Sequence, residues 1–296
     1  MNLSTVTVFG GTGFLGHEIV EALTNSGWHV RIAARRQRDI GPNEPHVESI
    51  EADIRDRASV ARALEGAEAA VNAVSLYTEH RRLGFEEIHV EGARILAEEA
   101  EKASVPRLVH ISGIGVDSRH PSKYVRARTR GEQAVRRGAT GATLLRPGVL
   151  FGPGDDFLST LDQVTRLPVV PLFGSGRTLL QPVHAADVAQ AVAVCLRRPD
   201  TLGQTYELGG ASRHHYREVV EQVLASRGRK RPLLPVPFPV WHALALLMEV
   251  LPNPPLTRDQ VLLMQSDNMV ADDAAGFGAL GLQARGLGEA LGESLP

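Results

Sequence analysis

The sequence lacks most of the signatures that would settle a function at once. Cys195 is the single cysteine of 296 residues, which excludes an internal disulfide and a cysteine-built zinc site. Lysine plus arginine number 32 against 34 aspartate plus glutamate, for a net charge of −2. A nucleic-acid protein would normally show a basic excess or stripe, so that class is set aside. The histidines are scattered without metal-ligand spacing, no H-E-x-x-H occurs, and no G-x-S-x-G elbow occurs. No internal repeat or low-complexity block stands out. The first eleven residues show no basic region followed by a long apolar core, so no signal peptide and an intracellular chain are expected. Residues 232–251 are apolar, but Pro232, Pro235, Pro237 and Pro239 interrupt them. The remaining stretch, 240–251, is too short to cross a bilayer, so no transmembrane segment is expected. It reads most simply as a buried helix, with a surface helix docking on a membrane or partner protein as the other reading.

Hydrophobic residues are 43% and charged residues 22%, a globular composition. The length suits one large or two modest domains. The first half alternates short apolar strands (6–9, 28–34, 47–51, 69–74, 107–112, 143–146) with helical patterns (17–26, 58–64, 86–102, 124–137). Such alternation predicts right-handed βαβ units and a doubly wound parallel sheet with helices on both faces. After Pro147 the texture changes. Loop-like Gly and Pro stretches dominate 148–176, then helix (185–196), strand (205–208) and helix (216–226) return. The tail from Asp272 is rich in Ala and Gly and has no strong period. A boundary near 150 is expected, with 1–150 binding a dinucleotide and 151–296 forming a smaller C-terminal α/β substrate or docking part. The helix at 185–198 would pack back on the first part. Cys195 falls on the apolar side of that helix and reads as core.

The strongest motif is Gly10-Gly11-Thr12-Gly13-Phe14-Leu15-Gly16. It satisfies G-x-G-x-x-G through Gly11, Gly13 and Gly16, and G-x-x-G-x-x-G through Gly10, Gly13 and Gly16. The glycines permit a tight strand-to-helix turn, approach of a pyrophosphate to bare backbone, and close helix–strand packing. The motif follows a strand and opens a helix, which is the context of a Rossmann nicotinamide-dinucleotide site. An NAD site would carry Asp or Glu about 20 residues on. The sequence instead places Arg35 and Arg36 at the end of the second strand, and the next carboxylate is Asp39. Guanidinium groups bind a 2′-phosphate with charge-assisted bonds, so NADP(H) is preferred, with NAD(H) as the alternative. By topology, Asp53 and Ile54 would flank the adenine, and Asn72, Ala73 and Val74, on to Ser75, would line the middle of the cofactor.

These segments resemble a family. GGTGFLG, Ala52-Asp53-Ile54, Val71-Asn72-Ala73-Val74, Leu108-Val109-His110-Ile111-Ser112, Leu145-Arg146-Pro147 and Gln181-Pro182-Val183-His184-Ala185-Ala186-Asp187-Val188-Ala189 come in the order of extended and atypical short-chain dehydrogenase/reductases, over roughly residues 3 to 265. More narrowly, Leu76-Tyr77-Thr78-Glu79, His89-Val90-Glu91-Gly92-Ala93, His110 through Gly115 and Pro252 through Gln260 resemble bacterial relatives of the NADPH-binding accessory subunit of respiratory complex I. The resemblance implies a Ser, Tyr, Lys catalytic set. Tyr124 is placed as the tyrosine. Arg128, four residues on and on the same helical face, stands where the family has lysine. Arginine keeps the charge but not the shape, so the exchange is not conservative. Ser112 is the serine candidate, although alignment with extended members puts the hydroxyl nearer Ile114. Arg146, Pro147 and Gly148, with 151–154, would form the loop over the nicotinamide, and Pro147, Gly148 and Val149 are cofactor-binding candidates. His184 is a pocket-wall candidate, and Asp187 reads as a first-turn charge favoured by the helix dipole.

The resemblance implies an NADP(H)-binding accessory, assembly or redox-sensing factor of respiratory or quinone metabolism with a degraded catalytic set. It would be cytoplasmic or peripheral at the inner face of a membrane, with a respiratory-complex or peripheral membrane partner. The alternatives are an active NADP-dependent oxidoreductase on a small carbonyl or isoprenoid-like substrate, using Tyr124 as acid, and a sugar-nucleotide epimerase.

Overall fold

The structure is a computed structural model that describes residues 3–37, 40, 44–79, 83–251 and 254–294. Asp39 and Pro252-Asn253 therefore lie outside the described residues. In chain order the first half forms β1 (Thr5–Phe9), α1 (Phe14–Asn25), β2 (His29–Ala34), β3 (Val47–Glu51), α2 (Arg57–Leu64) and β4 (Ala69–Asn72). A π-helical stretch (Glu86–Gly92) then runs into α3 (Ala93–Lys102), followed by β5 (Leu108–Ile111), α4 (Lys123–Gly138) and β6 (Thr143–Pro147). The second half forms β7 (Leu150–Phe151), α5 (Asp156–Val164), β8 (Val170–Phe173), β9 (Leu179–Leu180), β10 (Val183–His184), α6 (Ala185–Arg197), β11 (Thr205–Leu208), β12 (His214–His215), α7 (Tyr216–Ser226), β13 (Leu233–Val236), α8 (Phe238–Met248), α9 (Arg258–Leu263) and α10 (Leu287–Ser294).

Seven strands make one parallel sheet in the order β11-β6-β5-β4-β1-β2-β3. The chain winds outward from β1 to β3, returns to β4 on the other side of β1, and winds outward again. The direction therefore reverses between β1 and β4, and the crevice beyond their carboxyl ends is where open α/β sheets take ligands. Alternation along β1 divides the core. Val6 and Val8 face α1 and α6 with Ile19, Leu23, Val188 and Val192. Phe9 faces the opposite layer with Val60, Leu64, Leu96 and Val135, as a two-residue strand period requires. Each fully buried Ile or Leu contributes about 2–3 kcal/mol of hydrophobic stabilisation. A third cluster, around Phe151, Leu158, Leu172, Val219 and Leu287, belongs to the second half. Two elements of that half complete the sheet layer: α6 packs on α1, and β11 pairs with β6 at Tyr206↔Leu145.

Four local expectations are corrected. The loop-like 148–176 contains α5, which the buried Asp155 caps by accepting from the Leu158 amide at 2.6 Å. The Gly and Pro residues on either side masked Leu158 and Leu161, which it buries. The helix at 86–102 opens as π rather than α. There the His89 carbonyl oxygen lies 2.0 Å from where a Cβ on Gly131 of α4 would sit, so the widened turn is seated on a glycine and no other residue fits opposite it. The tail, in which no strong period is legible, contains a 3₁₀ turn at Phe277–Leu280 and α10. Finally, the apolar helix at the end of the 232–251 stretch is not buried. It is α8, and only Ala245 of its residues is enclosed.

Candidate functional site

The turn from β1 to α1 is shaped by what a side chain would strike. Gly10 has φ +82°, and a Cβ there would lie 2.8 Å from the Ala73 carbonyl carbon and 2.9 Å from the Val74 amide nitrogen. On Gly16 a Cβ would lie 2.0 Å from the Gly10 oxygen. The turn is therefore pressed both on the loop after β4 and on its own helix. Gly13 is the N-cap of α1, no side chain caps that helix, and its first turn holds no acid. Its leading amides and positive dipole end are left for an anion. Thr12 and Gly13 are exposed, whereas Gly11 and Leu15 are buried. A Cβ on Gly11 would meet Ile32 and Val20 at 3.2 Å each, so this glycine serves packing. Phe14 reaches across to the second half, its Cζ 3.4 Å from a Cβ position on Gly152.

Asn72 holds the facing loop. Its Oδ1 accepts from the Val74 amide at 3.2 Å, its Nδ2 pairs with His110 Nδ1 at 3.1 Å, and the Ala73 amide donates to the Phe9 carbonyl at 2.9 Å. Burial lowers the His110 imidazole to about 4. Arg35 and Arg36, past the end of β2, are exposed. Asp53, after β3, holds Arg55 through Nη2 at 2.6 Å, and this bond keeps its carboxyl below the usual range. Ile54 is buried against Gly92 of the π-helical stretch.

Tyr124 and Arg128 come together one turn apart on α4, but not in the arrangement of a phenol beside an ammonium. The Arg128 guanidinium carbon lies 4.9 Å from the centre of the Tyr124 ring, over the ring itself. Arg128 Nη2 donates to Ser75 Oγ at 3.0 Å. Tyr77 stacks on Tyr124 with centroids 5.6 Å apart, and Phe85 and His89 meet it edge-on at 5.5 and 5.4 Å. Burial pushes the phenol up, against the opposing pull of Arg128. Burial, with Arg128 second, lowers His89 to about 3, and its Nε2 sits 2.9 Å from the Leu76 carbonyl oxygen. Arg128 is itself 7% exposed, has no carboxylate partner among the described residues, and leaves Nε without a hydrogen bond. A buried cation without an acid is expensive, and Ser75 and the Tyr124 ring are the neighbours that offset it here.

The other candidates have structural neighbours. Ser112 is buried past the end of β5 with its Oγ unpartnered among the described residues, and Arg146 holds the Glu132 carboxyl low against the opposing effect of burial. Arg146 grips Glu132 through two bonds of 2.9 and 2.7 Å. Pro147 ends β6, the Gly148 amide donates to the Leu208 carbonyl at 2.9 Å, and the Val149 amide donates to Asn268 Oδ1 at 3.0 Å. His184 caps α6 by accepting from the Ala186 amide at Nδ1, 3.2 Å, and packs edge-on against Phe151. Asp187 accepts from both the backbone amide and Nε of Arg285 at 2.8 Å each, which ties the tail to α6. Sequence reasoning missed Asp259 of α9. Its Oδ2 accepts from Ser122 Oγ at 2.6 Å and its Oδ1 from the Lys123 amide at 2.8 Å, so it caps the helix that carries Tyr124 from 135 residues away.

Residues 10–199 match the family described as NAD(P)H-binding. The chain is 29% identical over 289 residues to NADH dehydrogenase (ubiquinone) 1 alpha subcomplex subunit 9, mitochondrial, of Rattus norvegicus, covering 94% of this chain and 76% of that one. It is 30% identical over 239 residues to ceramide reductase of Caulobacter vibrioides, covering 79% and 74%. A nucleoside-diphosphate-sugar epimerase from Staphylococcus aureus superposes with a TM-score of 0.76 at 17% identity, covering 98% of this chain and 100% of that one.

Proposed function

The chain belongs to the NAD(P)H-binding family, short-chain dehydrogenase/reductase-like in fold and related to an accessory subunit of respiratory complex I, and from that premise we propose that it binds NADP(H) as an accessory, assembly or redox-sensing factor of respiratory or quinone metabolism. We divide it near residue 150, with the nucleotide held by the first part and residues 151–296 serving as the substrate or docking part. It would act on the cytoplasmic side, at the inner face of a membrane, beside a respiratory-complex partner.

The observation that carries the reading is the position of Arg128. A lysine in its place would put a point charge beside the phenol. The guanidinium instead spreads over the ring and is directed to Ser75, and the phenol stays harder to ionise than free tyrosine. A tyrosine in that state is a poor proton relay at neutral pH. The nicotinamide would supply hydride chemistry when bound. The chain's own residues are better suited to holding it: the capless amides at Phe14, Leu15 and Gly16 for the pyrophosphate, Arg35 and Arg36 for a 2′-phosphate, Asp53 and Ile54 toward the adenine, and Asn72, Ala73 and Val74 beneath the middle. Tyr124 and Arg128 would take the nicotinamide ribose, with Ser112, Pro147, Gly148 and Val149 behind.

Calorimetry on the nucleotide-stripped chain is expected to show NADPH binding at least about tenfold tighter than NADH, and Arg35→Ala with Arg36→Ala to erase that gap. Equal affinities, unchanged in the double variant, would remove the NADP preference. Neither the chain nor Arg128→Lys is expected to oxidise NADPH across a panel of carbonyls. The second reading, an NADP-dependent oxidoreductase, is favoured by similarity to a protein named as a reductase and by Tyr124 being only half-buried. Turnover abolished by Tyr124→Phe would establish it.

A further inference from the structure

The helix α8 has the wrong surface for a helix that faces water. Among its residues, Phe238 to Met248, there is no Asp, Glu, Lys or Arg. Leu246 and Leu247 are 54% and 70% exposed, and Val250, just past its end, is 84% exposed. Val240, Leu244 and Leu251 are exposed as well. An isolated exposed leucine means nothing, but a contiguous set marks a surface that is covered in use. The helix is nevertheless well anchored. Trp241 stacks on Phe173 with centroids 4.4 Å apart and donates its indole N–H to the Leu172 carbonyl at 3.1 Å, and Phe238 presses on Gly174. These contacts hold one side of α8 on β8, α9 packs beside it, and Val240, Leu244, Leu246 and Leu247 are left exposed.

The chain leading into α8 supplies the charge. Leu234 and Pro235 of β13 are exposed and apolar, and the segment before them reads Arg227, Gly228, Arg229, Lys230, Arg231. Arg227 and Arg229 are both held by the Asp162 carboxylate at 2.8 Å. Lys230 and Arg231 are exposed and have no carboxylate partner among the described residues. The one acid near the end of α8, Glu249, is neutralised by Arg258 at 2.9 Å. The strip from 230 to 251 is therefore two unpaired cations followed by uncharged apolar surface.

We propose that this strip seats the chain on an anionic lipid surface, with α8 lying along the interface, its bare leucines among the acyl chains, and Lys230 and Arg231 against the headgroups. A protein partner would be recognised through a polar rim around an apolar centre, and α8 offers no charged group for one. Lipid needs only apolar area and a positive flank. Of the function proposed above this rests only on membrane location, and not on nucleotide binding.

The test is co-sedimentation of the full chain with vesicles of phosphatidylcholine alone and with about 30% phosphatidylglycerol. Pelleting is expected on the anionic vesicles and to weaken with salt. Lys230→Glu with Arg231→Glu should lower the affinity by about fivefold or more per cation. Leu246→Glu with Leu247→Glu should lower it at least about tenfold. Because all four side chains are exposed, thermal midpoint and nucleotide affinity should not change, and that is checked on the same samples. Absence of nucleotide binding with vesicle pelleting intact would sink the proposed function and spare this one. Pelleting indifferent to these substitutions, equal pelleting on neutral vesicles, no pelleting on either, or self-association through the leucines in place of lipid binding would overturn it.

Discussion

The two ends of the crevice are built from different materials. At β1 and α1 the structure offers backbone: bare amides, a dipole, and glycines where nothing larger fits. At α4 it offers side chains from distant segments, with Arg128, Tyr124, Ser75, Tyr77, Phe85 and His89 packed on one another. Under the proposed function the first end would hold the dinucleotide through backbone, with the exposed Arg35 and Arg36 selecting the 2′-phosphate. The second depends on particular side chains, among them the guanidinium of Arg128 lying over the Tyr124 ring. The proposed function assigns binding to the first end and would leave the second free to change without loss of the fold.

The largest effect should come from the backbone end. In Gly16→Val even the first side-chain carbon lies 2.0 Å from the Gly10 oxygen. Relief requires moving α1 off the sheet, at a cost of about 3 kcal/mol or more. Denaturant unfolding should show it, and any folded fraction should have lost measurable nucleotide affinity. A Gly16→Val protein of native stability and affinity would mean that the turn is not the rigid half of the comparison.

Next in size is a pH effect from two buried imidazoles, His89 at the side-chain end and His110 behind the loop that Asn72 holds against the glycine turn. His89 and His110 are held neutral, with values near 3 and 4 against 6.5 when unfolded. Below 6.5 the unfolded chain takes up protons that the folded chain refuses, so stability falls as pH falls and is full above about 7. Between pH 6.5 and 5 the two imidazoles together should remove about 3 kcal/mol. Unfolding midpoints at the two pH values measure this, and His89→Gln should shrink the drop by about half. A drop undiminished in that variant would place the acid sensitivity elsewhere.

The same division decides what the sequence could reveal. The glycine turn and the strand–helix order were legible because each depends on local rules: a strand, three spaced glycines, then a helical period. Tyr124 and Arg128 were legible as a pair because i and i+4 share a helical face. Their mutual geometry was not, since a guanidinium over a ring and one beside a hydroxyl have identical spacing. The π-helical turn that places His89 depends on Gly131 in another helix. α5 was hidden by the turn residues around it, and the exposure of α8 could not be told from burial because apolar composition is the same in both cases.

The smallest effect tests the longest connection. Asp259 caps α4 from α9, taking Ser122 Oγ at 2.6 Å and the Lys123 amide at 2.8 Å. A carboxylate at a helix N-terminus gains from both the orphan amides and the dipole. Asp259→Ala should therefore cost about 1–2 kcal/mol of stability, because Ser122 remains as the local cap through the Val125 amide at 3.2 Å. Its effect on ligands should be unequal. Adenosine 2′,5′-bisphosphate carries the phosphate groups of the first end and no nicotinamide, so its affinity should be unchanged, whereas NADPH should bind a few-fold more weakly as the start of α4 frays around Tyr124. If both ligands weaken alike, the two ends are one cooperative unit. If only NADPH weakens, they are independent, and the C-terminal segment is what keeps the side-chain end in shape.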